Sequence, residues 1–550
     1  MKSFPKLQPT QLYSIVWAMI VVSMLLLVLA SLPGVPTRDS SVYVYIAEGM
    51  LNGEVPYVDR WDHKPPLIYL LDLIGLVISG KHLWGIWLLE GLFLVSAVWL
   101  AFMVLKTNFG RTAAFFSISM FLLYLNRFID GGNYTEEYVI LLQFLALHLF
   151  LRIDKQYHLK PWQPLAIGAL AAGAFLLKPN LVGVWLAIGF YWVFSGRKAL
   201  HCILWSIAGA ASVFLILFVV LTSVDAWSAF LDAVFSYNFA YSGSASLKDK
   251  INAGLSVAKE IEGFSLVITG WFIGLGYFLL RKTRHDQFEV LLRLAIILLP
   301  VEVVLISTSG RQYGHYYLVV LPVITIFLSF FGRVVINVLD TFTDGRRASQ
   351  KDEFLVQMAA TACLLAIVVN TSISYRGTYS DTLSRIRKIG STGVIMRGDF
   401  SQVAEYIRDH TTPNNRILVW GAQAEIYLLS KRQSPTRFFY QYPLVTSNYA
   451  NDSLFNEFLS DVENHRPEII IDTRNMHLPP LNSAERLAWQ RGIKPGIKPG
   501  SKPGSKRDLG LYSNSLAPFQ PFFSFVEREY EYIEEVGGCA IYKWKSNSSR

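Results

Sequence analysis

Cysteine is scarce in this sequence. The 550 residues contain three, Cys202, Cys363 and Cys539, far apart and without the paired spacing of a metal ligand set. A disulfide framework and a zinc site are excluded on that count. Charge is scarce too: Asp, Glu, Lys and Arg make up 17% of the chain, against about 25% in soluble domains, while hydrophobic residues reach 52%. An ordinary water-soluble composition is therefore excluded. No glycine-rich nucleotide loop is present, since WGAQAE at 420–425 has one glycine where a dinucleotide fingerprint needs three, and no nucleotide cofactor is assigned. The net charge of +9 comes from basic residues scattered between apolar runs, which membrane topology also requires, so a nucleic-acid partner is not read from it.

Long apolar runs fill the space these absences leave. The clearest is YSIVWAMIVVSMLLLVLASL at 13–32, read as a retained anchor because no small-residue cleavage site follows it and Pro33 and Pro36 lead into a charged segment. Similar runs at 83–105, 112–128, 137–152, 163–177, 180–195, 201–222, 263–280, 290–307, 315–332 and 354–371 bring the reading to about eleven transmembrane helices. With the N-terminus inside, the short basic connections near 106–111, 152–160, 196–198, 281–284 and 346–351 all fall on the cytoplasmic side. The segment PPLIYLLDLIGLVISG at 65–80 is short, opens on two prolines and carries Asp72, so it reads as an interfacial or re-entrant helix. The external loops are then 33–82, 129–136, 178–180, 223–262 and 308–314.

The composition changes after residue 373. FSQVAEYIRDH, AEIYLLSK and NEFLSDVENH have helical patterning, whereas RILVWG and PEIIID read as buried strands, which makes 374–550 a soluble α/β domain on the external face. It is interrupted by IKPGIKPGSKPGSKRD, a Pro/Gly/Lys linker near 492–508. The expected architecture is a polytopic α-helical membrane domain, 1–373, followed by this α/β domain.

Chemistry-bearing residues gather on the external side. Asp39 directly follows the first span and suits either a general base or the N-cap of SSVYVYIAEGML, roles that do not exclude one another. In WDHKPP, Lys64 is placed by the two prolines behind it as a phosphate ligand or a snorkelling interfacial cation. His63 is a candidate ligand for a divalent metal, although a lone histidine is more often simply hydrogen-bonded. In DGGNYTEEY, Glu136 and Glu137 diverge by about 100° on a helix and so serve different partners. Lys178 ends an apolar helix in LLKPN, and SGRQYGHYYLVVLP supplies Arg311, Tyr313 and His315 at another helix mouth, where guanidinium and phenol groups suit a phosphate. Glu90 and Glu302, inside apolar runs, are read as structural hydrogen-bonders between helices.

RDSSVYVYIAEGMLNGEVPYVDRWDHKPP, followed in order by NYTEEYVILLQFLALHLFL, GAFLLKPN and RQYGHYYLVVLP, resembles the protein O-mannosyltransferase-like branch of the GT-C glycosyltransferases, which includes the lipid A aminoarabinose transferases. The resemblance covers about the first 330 residues. It implies an enzyme of the plasma or inner membrane, with active site and C-terminal domain extracytoplasmic. Such an enzyme moves a hexosyl or pentosyl group from a polyprenyl-phosphate donor to a hydroxyl of a lipid, glycan or protein. No cofactor is required. Asp39 stands at the family's first-loop acid, the general base of an inverting single displacement, and Lys64 and Lys178 stand at phosphate-contacting lysines. His63 stands where some relatives have Glu, and a metal role rests on it alone. Arg311 joins the cations on the phosphate, and Glu136, Glu137, Tyr313 and His315 are the candidates for holding acceptor or sugar. The rival readings are a transporter or flippase of lipid-linked sugars, for which internal repeats and a midplane polar site are missing, and a non-catalytic receptor or scaffold.

Overall fold

A computed structural model describes residues 9–34, 36, 38–129, 131–155, 160–195, 199–280, 287–342, 350–392, 400–490 and 515–545. The linker expected at 492–508 lies outside the described residues, as do most of the cytoplasmic connections beyond 106–111. The chain divides into two compact units. One comprises residues 1–33, 87–217 and 248–393, the other 34–86, 218–247 and 394–550. The boundary expected near 373 is therefore only part of the division: the first external segment and residues 218–247 fold with the C-terminal region.

The first unit is helical. Each apolar run falls on a helix, among them Pro9–Ser31, Arg111–Phe128, Thr135–Lys155, Trp162–Leu177, Ala199–Ser223, Gln287–Ser307, Leu321–Phe342 and Gln350–Ser374. Among the described residues, five helices are long and apolar enough to cross a membrane, or up to six if the bent pair Met358–Ser374 and Arg376–Ser384 is one span. Arg111–Phe128 is buried along most of its length, as a helix without a polar face should be. It packs against Leu321–Phe342, where Ser117 Oγ donates to the Thr325 carbonyl at 2.6 Å. Ala199–Ser223 is the opposite case, with Leu215 and Ile216 more than 60% exposed, a surface suited to lipid. Glu302 meets its expectation across helices, accepting from Gln143 Nε2 at 3.2 Å. Glu90 does the same, sharing a hydrogen bond with Glu137 on the helix Thr135–Lys155, and also accepts from the loop backbone at Asn133 N at 2.8 Å.

The helices Trp162–Leu177 and Ala199–Ser223 touch backbone to backbone. A Cβ on Gly168 would lie 1.8 Å from the Ser206 carbonyl oxygen, and one on Gly209 would lie 1.9 Å from that of Leu165. Small residues permit this approach in lipid, where packing rather than hydrophobicity joins helices.

The second unit is built on a four-stranded sheet of β1 (Ile417–Trp420), β2 (Ile469–Asp472), β3 (Tyr530–Val536) and β4 (Cys539–Trp544), in the order β1-β2-β4-β3. β1 and β2 are parallel, in register from Ile417 opposite Ile469, and wholly buried, as the unbroken runs ILVW and IIID require. β4 runs antiparallel to both neighbours. The β3–β4 hairpin turns on Gly537 and Gly538, with φ of 53° and 77°, the left-handed pair a two-residue turn demands. This hairpin lies beyond the linker and was not read from sequence. Trp420 anchors the core, 4.8 Å from the Phe522 ring and donating from Nε1 to the Pro479 carbonyl.

Two further expectations change. The helix Arg38–Leu51 starts one residue before Asp39, so Asp39 occupies its first turn rather than its N-cap, still at the positive end of the helix dipole. The 223–262 loop is mostly helical, with Trp227–Leu231, a π-helical turn at Asp232–Ser236, Tyr237–Gly243 and Leu247–Glu260, because its aromatic and small apolar residues find partners to pack against. The helix Leu67–Ile78, at 12 residues, is about 18 Å long and too short to cross a bilayer core of roughly 30 Å.

Gly168→Val should drive the two touching helices apart and cost about 1–3 kcal/mol. Gly189→Ala, where an added Cβ meets nothing within 4 Å, should be near neutral. Thermal melts of both variants in lipid nanodiscs test this, and an unchanged melt for Gly168→Val would contradict the close approach.

Candidate active site

In the second unit the WDHKPP segment closes around a buried carboxylate. Asp62 is 2% exposed. Its Oδ1 accepts from Tyr440 Oη at 2.5 Å and lies 3.2 Å from His63 Nδ1, while its Oδ2 accepts from Tyr69 Oη at 2.6 Å. Burial alone would raise the Asp62 carboxyl. The pull of the His63 ring, then the Lys64 charge and a hydrogen bond from Tyr440, outweigh it and hold the group below the usual carboxylate range.

His63 lies between the acid and the lysine. Lys64 Nζ is 2.8 Å from His63 Nε2, and an ammonium can only donate, so Nε2 accepts and the ring proton sits on Nδ1 facing Asp62. Burial, and then the Lys64 charge, push the imidazole below its ordinary value against the pull of Asp62 and Asp39, in keeping with a neutral ring. Asp39 is thus close enough for its charge to act on His63. Asn238 Nδ2 donates to the His63 carbonyl at 2.8 Å, and Tyr57 and Tyr69 donate to the Lys64 carbonyl at 2.9 and 3.0 Å. The backbone of the pair is held from three sides. Both His63 nitrogens are engaged, and among the described residues no group of three His, Cys, Asp or Glu is placed to hold a metal ion.

The first unit carries the other candidates. Gly131, Gly132 and Asn133 take left-handed conformations, with φ of 94°, 80° and 62°. A Cβ at Gly132 would lie 2.2 Å from Glu90 Oε1, so the glycine makes room for the carboxylate that accepts from Asn133 N. The helix Thr135–Lys155 follows. Its two acids diverge: Glu137 accepts from Tyr134 N at 3.2 Å, whereas Glu136 pairs with Lys178 Nζ at 2.7 Å. Lys178 also lies 3.7 Å over the Tyr316 ring. His315 is stacked on Tyr134 at 4.3 Å and parallel to Tyr313 at 5.8 Å. Arg311 follows the left-handed Gly310 at the end of Gln287–Ser307, two residues before Tyr313.

The candidates therefore fall into two sets. Asp39, His63 and Lys64 belong to the second unit; Glu136, Glu137, Lys178, Arg311, Tyr313 and His315 belong to the first. The sequence reading passed over Asp62, Tyr69 and Tyr440. Asp62 had a signal, an acid directly before a His-Lys pair, but Tyr440 is 378 residues away and had none.

Comparison with known proteins follows the same lines. Residues 63–223 match the family described as dolichyl-phosphate-mannose-protein mannosyltransferase. No curated protein sequence matches the chain. Among solved structures, ArnT of Cupriavidus metallidurans bound to undecaprenyl phosphate is 12% identical with a TM-score of 0.55, over 96% of this chain and 97% of that one. Its apo state gives a TM-score of 0.56 at the same identity and coverage. The oligosaccharyltransferase of Archaeoglobus fulgidus, tethered to an acceptor peptide, gives 0.52 at 13% identity, over 91% of this chain and 74% of that one. This is the GT-C glycosyltransferase fold. With its apolar helices, the chain is an integral membrane protein.

Two measurements test the geometry. Lys178→Met leaves Glu136 buried without its cation and should cost about 3–5 kcal/mol, much of it recovered in the double variant with Glu136→Gln. A melt of the double variant as low as that of the single would contradict a direct pair. His63 has a depressed folded value, so its contribution is present above the unfolded value near 6.5 and is lost as pH falls through the folded one. The melting temperature should fall between pH 7 and 5, and His63→Gln should flatten that slope; an unchanged slope would place the titration elsewhere.

Proposed function

We propose that this protein is a membrane glycosyltransferase that moves a hexosyl or pentosyl group from a polyprenyl-phosphate donor to a hydroxyl of a lipid, glycan or protein on the extracytoplasmic face. The observation that carries the reading is the family match over 63–223, which contains Lys64, Glu136 and Lys178, three residues that the fold buries or orients with defined partners. Asp39 precedes the matched stretch and Arg311 follows it; their roles rest on the motif resemblance. ArnT, a similar fold, is known with undecaprenyl phosphate bound, which supports a lipid-phosphate donor for this chain as well.

The chemistry is a single displacement with inversion. Asp39 takes the proton of the acceptor hydroxyl as its oxygen attacks the anomeric carbon, and the C–O bond to the lipid phosphate breaks. The departing phosphate keeps the electron pair, and Lys64, Lys178 and Arg311 stabilise its growing charge, so no general acid is needed. Asp39 suits this task because it is only partly buried and lies in the first turn of a helix, where a carboxylate is stabilised as an anion. Lys64 is held against the His63 ring at 2.8 Å, which directs its ammonium. Lys178 is already paired with Glu136 and keeps further N–H donors for an incoming phosphate oxygen. Glu136 therefore acts by positioning Lys178, while Glu137, Tyr313 and His315 remain the candidates for holding acceptor or sugar. No cofactor is part of this scheme.

Purified protein in lipid, given a panel of polyprenyl-phosphate sugars and a membrane-glycan extract, should release free polyprenyl phosphate detectable by mass spectrometry. Asp39→Asn should lower turnover by about 10²–10⁴-fold with donor binding intact. Lys64→Ala should weaken donor binding by about 1.5–3 kcal/mol. Wild-type turnover by Asp39→Asn would remove the base assignment, and tight donor binding without release from any donor would favour a transporter.

A further inference from the structure

Within the second unit lies a cavity of about 420 Å³ that none of the residues assigned to the reaction lines. Its size falls in the roughly 300–1,000 Å³ range of small-molecule sites, which are mostly apolar. This wall is not: Glu54, Arg60, Arg437, Glu457 and Asp461 all contribute to it. The charged groups are held in place before any ligand arrives. Arg60 is buried, lies 3.8 Å over the Tyr45 ring, and donates to the Tyr45 carbonyl and to both Glu54 carboxylate oxygens. Arg437 donates to the Tyr57 carbonyl at 3.1 Å and pairs with both oxygens of Glu457 at 2.5 and 2.9 Å.

Each of these cations thus has its own carboxylate. Arg416 on the same wall donates to the Ser434 carbonyl at 2.7 Å, and with Asp59 the four lining carboxylates outnumber the three guanidiniums, so an anionic ligand would lose hydration without meeting a net cationic wall. A hydroxyl both donates and accepts, so it can use spare carboxylate lone pairs and guanidinium N–H groups together. Asp461 adds a partly buried carboxyl to the wall, raised above its ordinary value by that burial, with oxygens that can accept from ligand hydroxyls.

The geometry points to a non-catalytic binding site for a neutral, hydroxyl-rich ligand, a glycan, in the second unit, walled by the first external segment and the C-terminal region. Such a site would retain an acceptor glycan near a membrane transferase, but the binding itself does not rest on the transferase reading.

The test uses the full chain in lipid nanodiscs and saturation-transfer NMR with neutral hexose and pentose oligosaccharides, alongside inorganic phosphate and uronate oligomers as charged comparators. Wild type should bind at least one neutral oligosaccharide saturably. Gln433→Trp, which fills the cavity from an exposed position, and Asp461→Asn should each weaken that binding about tenfold or more. If either lowers the melting temperature, Val58→Trp at another exposed lining position replaces it. Asp39→Asn should bind glycan as wild type does, so failure of the catalytic assignment and failure of this site are read separately. Absence of saturable neutral binding, binding indifferent to the lining variants, or preference for phosphate or uronate would each overturn the proposal.

Discussion

A carboxylate taken out of water must have its lone pairs met by donors, and in this protein that requirement falls on Asp62. Tyr69 and Tyr440 supply hydroxyls, His63 an imidazole N–H, and Lys64 a nearby positive charge. The partners come from the helix just after WDHKPP and from a loop hundreds of residues later, so the acid can be buried only when the first external segment and the C-terminal region fold as one body. The same contacts fix the imidazole tautomer, and the tautomer in turn places the lysine ammonium. One buried charge thereby sets the geometry of the His-Lys pair and the composition of the unit that holds it.

The helical unit solves a related problem by different means. Its apolar helices can pack closely only where small residues meet, as at Gly168 and Gly209, and its few ionisable groups have to find partners where the helices end. Glu136 and Lys178 neutralise one another, and the Gly131–Asn133 turn is folded over Glu90. Tyr134, His315 and Tyr313 stack their rings in parallel beside them.

Much of this could be read in advance. The helical runs, the short interfacial helix after the two prolines, the strands RILVWG and PEIIID, and the divergence of Glu136 and Glu137 follow from periodicity and local geometry, which are properties of neighbouring residues. The first-loop motifs carried the likeness to the GT-C branch because their residue types and order are distinctive. The β3–β4 hairpin escaped notice because its strand alternation is broken by the adjacent Tyr532–Ile533 and Glu534–Glu535 pairs and it follows a low-complexity stretch. In 223–262 the helices Trp227–Leu231 and Tyr237–Gly243 are too short for a periodic face to show in sequence.

The sequence by itself determined that the chain lives in a membrane, where its helices run, and which polar residues stand beside them, since hydropathy and local spacing need no partner to be read. Only the tertiary structure decided that the loop around WDHKPP belongs with the C-terminal sheet, that Asp62 and Tyr440 form its centre, that His63 is hydrogen-bonded between Asp62 and Lys64, and that Lys178 is held by Glu136. The physical reason is that burial and pairing of charge depend on which distant groups arrive together, and in a chain of 550 residues a one-dimensional pattern does not encode that meeting.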